Sequence, residues 1–101
     1  MNKTSIERTI NKVLVHVPTE LENFEISQKA SSNVDYFGHD EHRNFFIQFK
    51  SSAAKGYLFK DVDLKVITEG SVADSIGAFF AKNIKGKFEA KQVDYRIEIA
   101  R

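Results

Sequence analysis

The clearest candidates for chemistry in this chain are Lys82, Lys85 and Lys87, with Asn83 among them and Lys91 close behind. On a helix, Lys82 and Lys85 project one turn apart. Such a cluster binds phosphates by charge and counterion release, without reading base sequence. Cations at a helix end also offset the helix dipole, so the same lysines have a purely structural use. A second candidate is aromatic. Tyr57 and Phe59 stand two residues apart, a spacing that sends both rings to one side of a strand. On an open sheet face they would stack bases. Under a helix they are core, the commoner place for large rings in a small domain. Phe46 shares its strand face with Gln48 and Lys50; one ring on a polar face needs no explanation, although beside Tyr36 or Lys50 it would mark a contact surface.

The remaining chemistry is thinner. His39-Asp40-Glu41-His42 puts two imidazoles and two carboxylates within four residues, a set with a metal-ligand flavour. It reads as a polar turn, however, and no distant His or Cys completes a tetrahedral site. His16 lies in an apolar run and reads as a core or surface histidine. Asp61 and Asp63 alternate at a strand end, where solvation and a helix-capping role for Asp63 account for them. Cysteine is absent, and there is neither a Gly-x-Ser-x-Gly elbow nor a Gly-rich phosphate loop. The expectation is a non-enzyme that uses no metal or other cofactor. The residues expected to contact nucleic acid are Lys82, Asn83, Lys85 and Lys87, assisted by Lys50, Lys60 and Tyr57.

The elements that must position these residues belong to one domain spanning 1–101. A chain of 101 residues buries roughly two-thirds of its unfolded surface, enough for one core. Its 29% charged and 42% hydrophobic residues are ordinary for a globular protein. The lack of cysteine fits a reducing cytoplasm. No signal-peptide core or membrane-length apolar run is visible, so the expected location is cytoplasmic, with no membrane partner. Net charge is only +1, unevenly spread: residues 1–40 carry 4 basic and 6 acidic groups, and residues 41–101 carry 11 and 8. A mildly basic face in the C-terminal half follows.

Thr4-Ser5-Ile6-Glu7 reads as a capping box, and Ile6, Ile10, Val13, Leu14 and Val17 keep helical spacing, which predicts an N-terminal helix. The competing reading is a short helix that gives way to a strand, because Val13–Val17 is rich in β-branched residues. Residues 19–32 form a polar, acidic connector anchored by Leu21, Phe24 and Ile26. Val34–Gly38, Asn44–Ser51 and Tyr57–Phe59 predict a three-stranded antiparallel meander, with small-residue turns such as Ser52–Gly56 between strands. Asp63 to Glu69 predicts a short helix that Gly70 ends. Ser71 with Asp74 then resembles a capping box for a second helix, whose stripe is Val72, Ile76, Phe79, Phe80 and Ile84. Gly86 stands where a left-handed residue closes a helix. Gln92–Ala100 alternates and predicts a terminal strand. The fold class is therefore α+β: a small antiparallel meander with two short helices on one face, plus an N-terminal helix and a C-terminal strand.

Several of these elements resemble the KTSC domain, a module named for its occurrence at the C-terminus of some lysyl-tRNA synthetases and also found as a stand-alone bacterial or phage protein. Ser32-Asn33-Val34 precedes a strand ending in Gly38, with Asp40 in the turn. Phe45, Ile47 and Phe49 take the inward positions of the next strand, and Tyr57-Leu58-Phe59 is similar to the family's Tyr-x-Tyr. Ser75 to Phe88 is similar to its closing Ser-x-Gly-x-Tyr/Phe-Phe-Asn-Lys-x-Ile-Lys/Arg-Gly-Lys-Tyr. Ala81 stands where Asn is usual, and Phe59 where Tyr is. The resemblance spans 31–93, leaving 1–30 as an N-terminal extension and 92–100 as the terminal strand. It implies RNA binding. The alternative expectation is a protein-interaction module, such as a phage or accessory factor that acts on a host protein.

Overall fold

The computed structural model describes residues 5–31, 33–50 and 56–100. Thr4, Ser32 and residues 52–55, which figure in the capping box, the family motif and the turn above, lie outside the described residues. The secondary structure is β1 (Ser5–Ile10), β2 (Val13–Pro18), a 3-10 turn (Thr19–Leu21), β3 (Glu25–Ser27), β4 (Val34–His39), β5 (Phe45–Phe49), β6 (Gly56–Phe59), α1 (Leu64–Ser71), α2 (Ile76–Asn83), β7 (Ala90–Gln92) and β8 (Glu98–Ile99). An antiparallel sheet of order β3-β4-β5-β6-β7 lies at the centre, and a second of order β1-β2-β8 covers part of it.

Strand β5 sets the layering. Its odd positions, Phe45, Ile47 and Phe49, face α1 and α2 and join a core with Phe37, Phe59, Val62, Ile67, Ile76, Phe80 and Ile84. Its even position Phe46 faces the other way, into a second core with Ile10, Val15, Val17, Leu21, Phe24, Tyr36, Val93 and Ile97. The face read as polar is therefore closed. Phe46 and Gln48 are both 0% exposed, and the Phe46 ring stacks on Tyr95, 6.3 Å between centroids and 20° between planes. Gln48 is accommodated by acting as a strand would. Its Nε2 donates to the Ile97 carbonyl at 2.9 Å, and its Oε1 accepts from the Ile97 N–H at 2.7 Å. Nε2 also donates to Asp35 Oδ2 at 3.1 Å. A register shift between Val34 and Tyr36 marks a bulge at Asp35, which lets Val34 and Phe37 share the helix-side core.

The N-terminal helix is not found. Residues 5–18 form a hairpin in which Ile6, Arg8 and Ile10 pair with Val17, Val15 and Val13. The apolar residues at helical spacing are also those at alternating positions on either side of a two-residue turn, and the β-branched run decides between the readings. Asn11 and Lys12 make the turn, with φ of 51° and 66°, the type I′ geometry that matches strand twist. The Arg8 guanidinium then holds the next connection, donating to the Phe24 and Glu22 carbonyls, each at 2.7 Å.

The terminal strand is also shorter than expected. Only Glu98–Ile99 pairs with β2, while Gln92 ends β7 on the opposite sheet. Between them, Val93 and Ile97 are buried in the second core.

The helices start and stop differently from the sequence reading. Asp63 occupies the N-cap of α1 without a side-chain cap bond. The helix runs through Gly70 to Ser71, whose hydroxyl donates back to the Thr68 carbonyl at 2.7 Å. Ser71 therefore ends α1 and does not begin α2. The Phe79 ring packs on Gly70, where a Cβ would sit 2.9 Å from Phe79 Cε2. The cap of α2 is Ser75, whose Oγ accepts from the Ala78 N–H at 3.3 Å, and Val72 is left exposed.

Candidate functional site

The site forms where α2 meets the β5–β6 half of the sheet. Cross-strand pairing aligns Phe45 with Phe59 and Ile47 with Tyr57, and helix α2 lays Phe80 over them. Phe80 meets Phe49 edge-on at 5.5 Å and Phe59 at 5.4 Å. Tyr57 meets Phe49 at 6.1 Å and 63°. Phe59 and Phe80 are buried, whereas Phe49 and Tyr57 are half-buried at the margin. The aromatic pair read as either core or platform is thus split, with Phe59 in the core and Tyr57 at its edge.

Beside this edge lies an open cleft of about 510 Å³, within the roughly 300–1,000 Å³ of small-ligand sites. Phe49, Tyr57, Phe59 and Phe80 floor it, and Gly77 and Ala81 form the α2 wall one helical turn apart. Asn33, Lys85 and Gly86 supply its polar rim. Helix α2 ends loosely here, because the Ile84 and Lys85 N–H groups both donate to the Phe80 carbonyl, at 3.0 and 2.9 Å. Ile84 to Lys87 then closes a β-turn, the Lys87 N–H donating to the Ile84 carbonyl at 3.0 Å. Gly86 is its third residue with φ 77°, as a type II turn requires. Gly86 does take the left-handed region, but in the turn after the helix. That turn carries Lys85 to the cleft.

The seven expected contact residues do not form one patch. Tyr57 and Lys85 are brought together at the cleft, and Lys82 and Lys87 are exposed beside it, on the last turn of α2 and in the following turn. Asn83 is half-buried, with its amide donating to the Phe79 carbonyl at 3.2 Å. The Lys50 ammonium donates to the Ser31 carbonyl at 2.6 Å and straps down the loop before β4. Lys60 follows β6 and continues its ladder by donating to Glu89, which by alternation places it on the Leu58 side, away from Tyr57. Asn33 and Phe49 had no functional signal in the sequence. Asn33 sits in a loop, and Phe49 reads as one more inward strand residue.

The His39–His42 turn has a structural use. The Asp40 carboxylate accepts from the His42 N–H at 3.0 Å, the Asn44 N–H at 2.9 Å and the Asn44 amide at 2.9 Å. Burial pushes its pKa up, but the bonds from Asn44 and His42 outweigh that and leave it below its ordinary value. His39 pairs with Glu25 at 3.5 Å and His42 with Glu41 at 3.7 Å. Among the described residues no three His, Cys, Asp or Glu side chains converge on a common point. Burial also raises the phenols of Tyr36 and Tyr95, which lie on the second core, away from the cleft. No helix among the described residues is long and apolar enough to cross a membrane.

A family model for the KTSC domain matches residues 30–88. The crystal structure of a KTSC domain protein from Yersinia pestis superimposes with a TM-score of 0.63 at 28% identity, over 69% of this chain and 97% of that one. No curated protein matches. The matched segment holds β4, β5, β6, α1 and α2, together with every cleft residue named above, while β1, β2, β3, β7 and β8 lie outside it. The chain belongs to the KTSC domain family, carrying flanks that close the second face of its sheet.

Proposed function

We propose that this KTSC domain is a small non-enzymatic nucleic-acid-binding module of the cytoplasm, acting on RNA first, that holds phosphates with the basic end of α2. The observation that supports it best is the meeting of Lys85 and Tyr57 at one cleft, with Lys82 and Lys87 exposed alongside. A cation beside an aromatic ring is the minimal equipment for a phosphate and its base. Titration of mixed-sequence RNA at low salt tests the reading. Binding is expected to weaken linearly in log–log salt plots, and Lys82→Ala/Lys85→Ala/Lys87→Ala should flatten the slope by about 2. No binding at low salt overturns it.

The second reading, a protein-interaction module, is favoured by exposed Val13, Leu14 and Ile99 on the three-stranded sheet and by β1 as one of its edge strands among the described residues. A stable partner that survives high salt and depends on Leu14 would select it.

A further inference from the structure

The cleft differs from two other hollows among the described residues in what it could hold. A second, of about 550 Å³, is lined by Asp35 and Glu98 beside Arg96, and its Asp35 already accepts from Gln28 and Gln48. A third, of about 650 Å³, has Glu20 and Asp94 facing Lys91. Both present carboxylates to an incoming anion. In the α2 cleft, by contrast, Lys85 is the sole charged lining residue among those described. Its floor is aromatic, its helix wall is the Gly77–Ala81 pair, and Asn33 offers an amide at the rim. Asn33 is exposed and Tyr57 half-buried here, so the amide and the phenol can both meet a ligand. A flat group would meet rings below and a wall without bulky side chains, with hydrogen-bonding groups and one cation at its edge. These are the properties of a nucleotide: a planar base with a polar rim, attached to a phosphate.

We propose that the cleft takes one unstacked base of a single strand, Tyr57 stacking it, Asn33 meeting its edge and Lys85 its phosphate. The proposal rests on the nucleic-acid reading above and makes it specific. A base inside a duplex is already stacked and paired, and extruding it costs free energy that a loop or free end does not. The module should therefore prefer single strands to duplexes. The exposed Lys82 and Lys87 lie where neighbouring phosphates would pass, so a short strand should bind more tightly than a free nucleotide.

The experiment compares a short RNA carrying one 2-aminopurine, the same sequence locked in a duplex, and a nucleoside monophosphate, all at low salt. Tyr57→Ala removes the stacking ring, and Ala81→Trp fills the cleft from an exposed helix position, where folding is checked by thermal melting. Fluorescence quenching on binding the single strand, and a loss of roughly ten- to a hundredfold in both variants, are expected, the range of one base–aromatic stack. Salt-dependent binding that is equal for single strand and duplex and indifferent to Ala81→Trp overturns the cleft assignment but leaves phosphate binding standing. No binding of either overturns both. A nucleoside monophosphate that competes as well as the strand overturns the single-strand assignment in favour of a free nucleotide.

Discussion

Gln48 offers the most exacting test of how this fold is held together. It is fully buried, and its side chain binds both backbone groups of Ile97, 49 residues away in sequence. Gln48→Ala would strip the Ile97 N–H and carbonyl of their partners and take one donor from Asp35. A buried polar group left unpaired costs about 1–3 kcal/mol, so two of them, partly relieved by a water entering the space left behind, put the loss at about 2–5 kcal/mol. Against a total of about 5–15 kcal/mol for a domain, that is a large fraction.

Gln48→Leu separates the contributions, since it fills the volume and removes only the hydrogen bonds; about 2 kcal/mol or more should still be lost. Gln48→Glu keeps an acceptor for the Ile97 N–H but sets a carboxylate against Asp35, so it should be worse at neutral pH and partly recover in acid. Urea unfolding followed by circular dichroism gives the stabilities, and hydrogen exchange at the Ile97 amide reports whether the tail has come loose. A Gln48→Leu protein within about 0.5 kcal/mol of the parent, with Ile97 still protected, would refute the view that this side chain pins the second layer to the sheet.

Other substitutions probe the turns and close approaches. Asp40 has a depressed pKa in the fold, so its stabilisation is present above its ordinary value of 3.8 and fades as pH falls through the folded value; Asp40→Asn should cost about 1 kcal/mol at neutral pH and flatten the acid limb of the stability curve. Gly38→Ala would drive a Cβ into the Glu25 carbonyl and leave it 3.0 Å from Ile26 Cα on β3, and a loss of about 1–3 kcal/mol in chemical denaturation is expected. At Gly77, inside α2, a Cβ finds only Val34 Cγ2 at 3.8 Å, so Gly77→Ala should stabilise by about 0.5–1 kcal/mol. Gly86→Ala has open space but a φ of 77°, so it should lower the melting temperature, opposite in sign to Gly77→Ala.

What the sequence showed of this fold was what local periodicity can carry. The alternation of Phe45, Ile47 and Phe49 and the spacing of Ile76, Phe80 and Ile84 identified the helix-side core, because every one of those residues points at the same layer. The N-terminal hairpin escaped because its turn is Asn11-Lys12 and lacks the glycine that advertises a type I′ turn. The second layer escaped for a different reason. Gln48 looks like a solvent-facing residue, and nothing near it in sequence announces that its partner is the backbone of Ile97. The site was half legible: Lys85 and Tyr57 each stood out, but only the docking of α2 on β5 and β6 brings them together, with Asn33 and Phe49 beside them.

The covered second face bears on function as well. An open sheet could stack bases on Tyr36 and Phe46, as four-stranded RNA-binding sheets do with their aromatics. Here those rings are 4% and 0% exposed, under a layer built from the flanks that lie outside the family match. Any aromatic contact through this sheet must then be made on the other side, at the margin of the helix layer. Tyr57 and Phe49 are the rings half-exposed at that margin beside the cleft, and the lysine-bearing turn after α2 is their neighbour. The flanks thus direct the proposed contact to the cleft by closing the alternative.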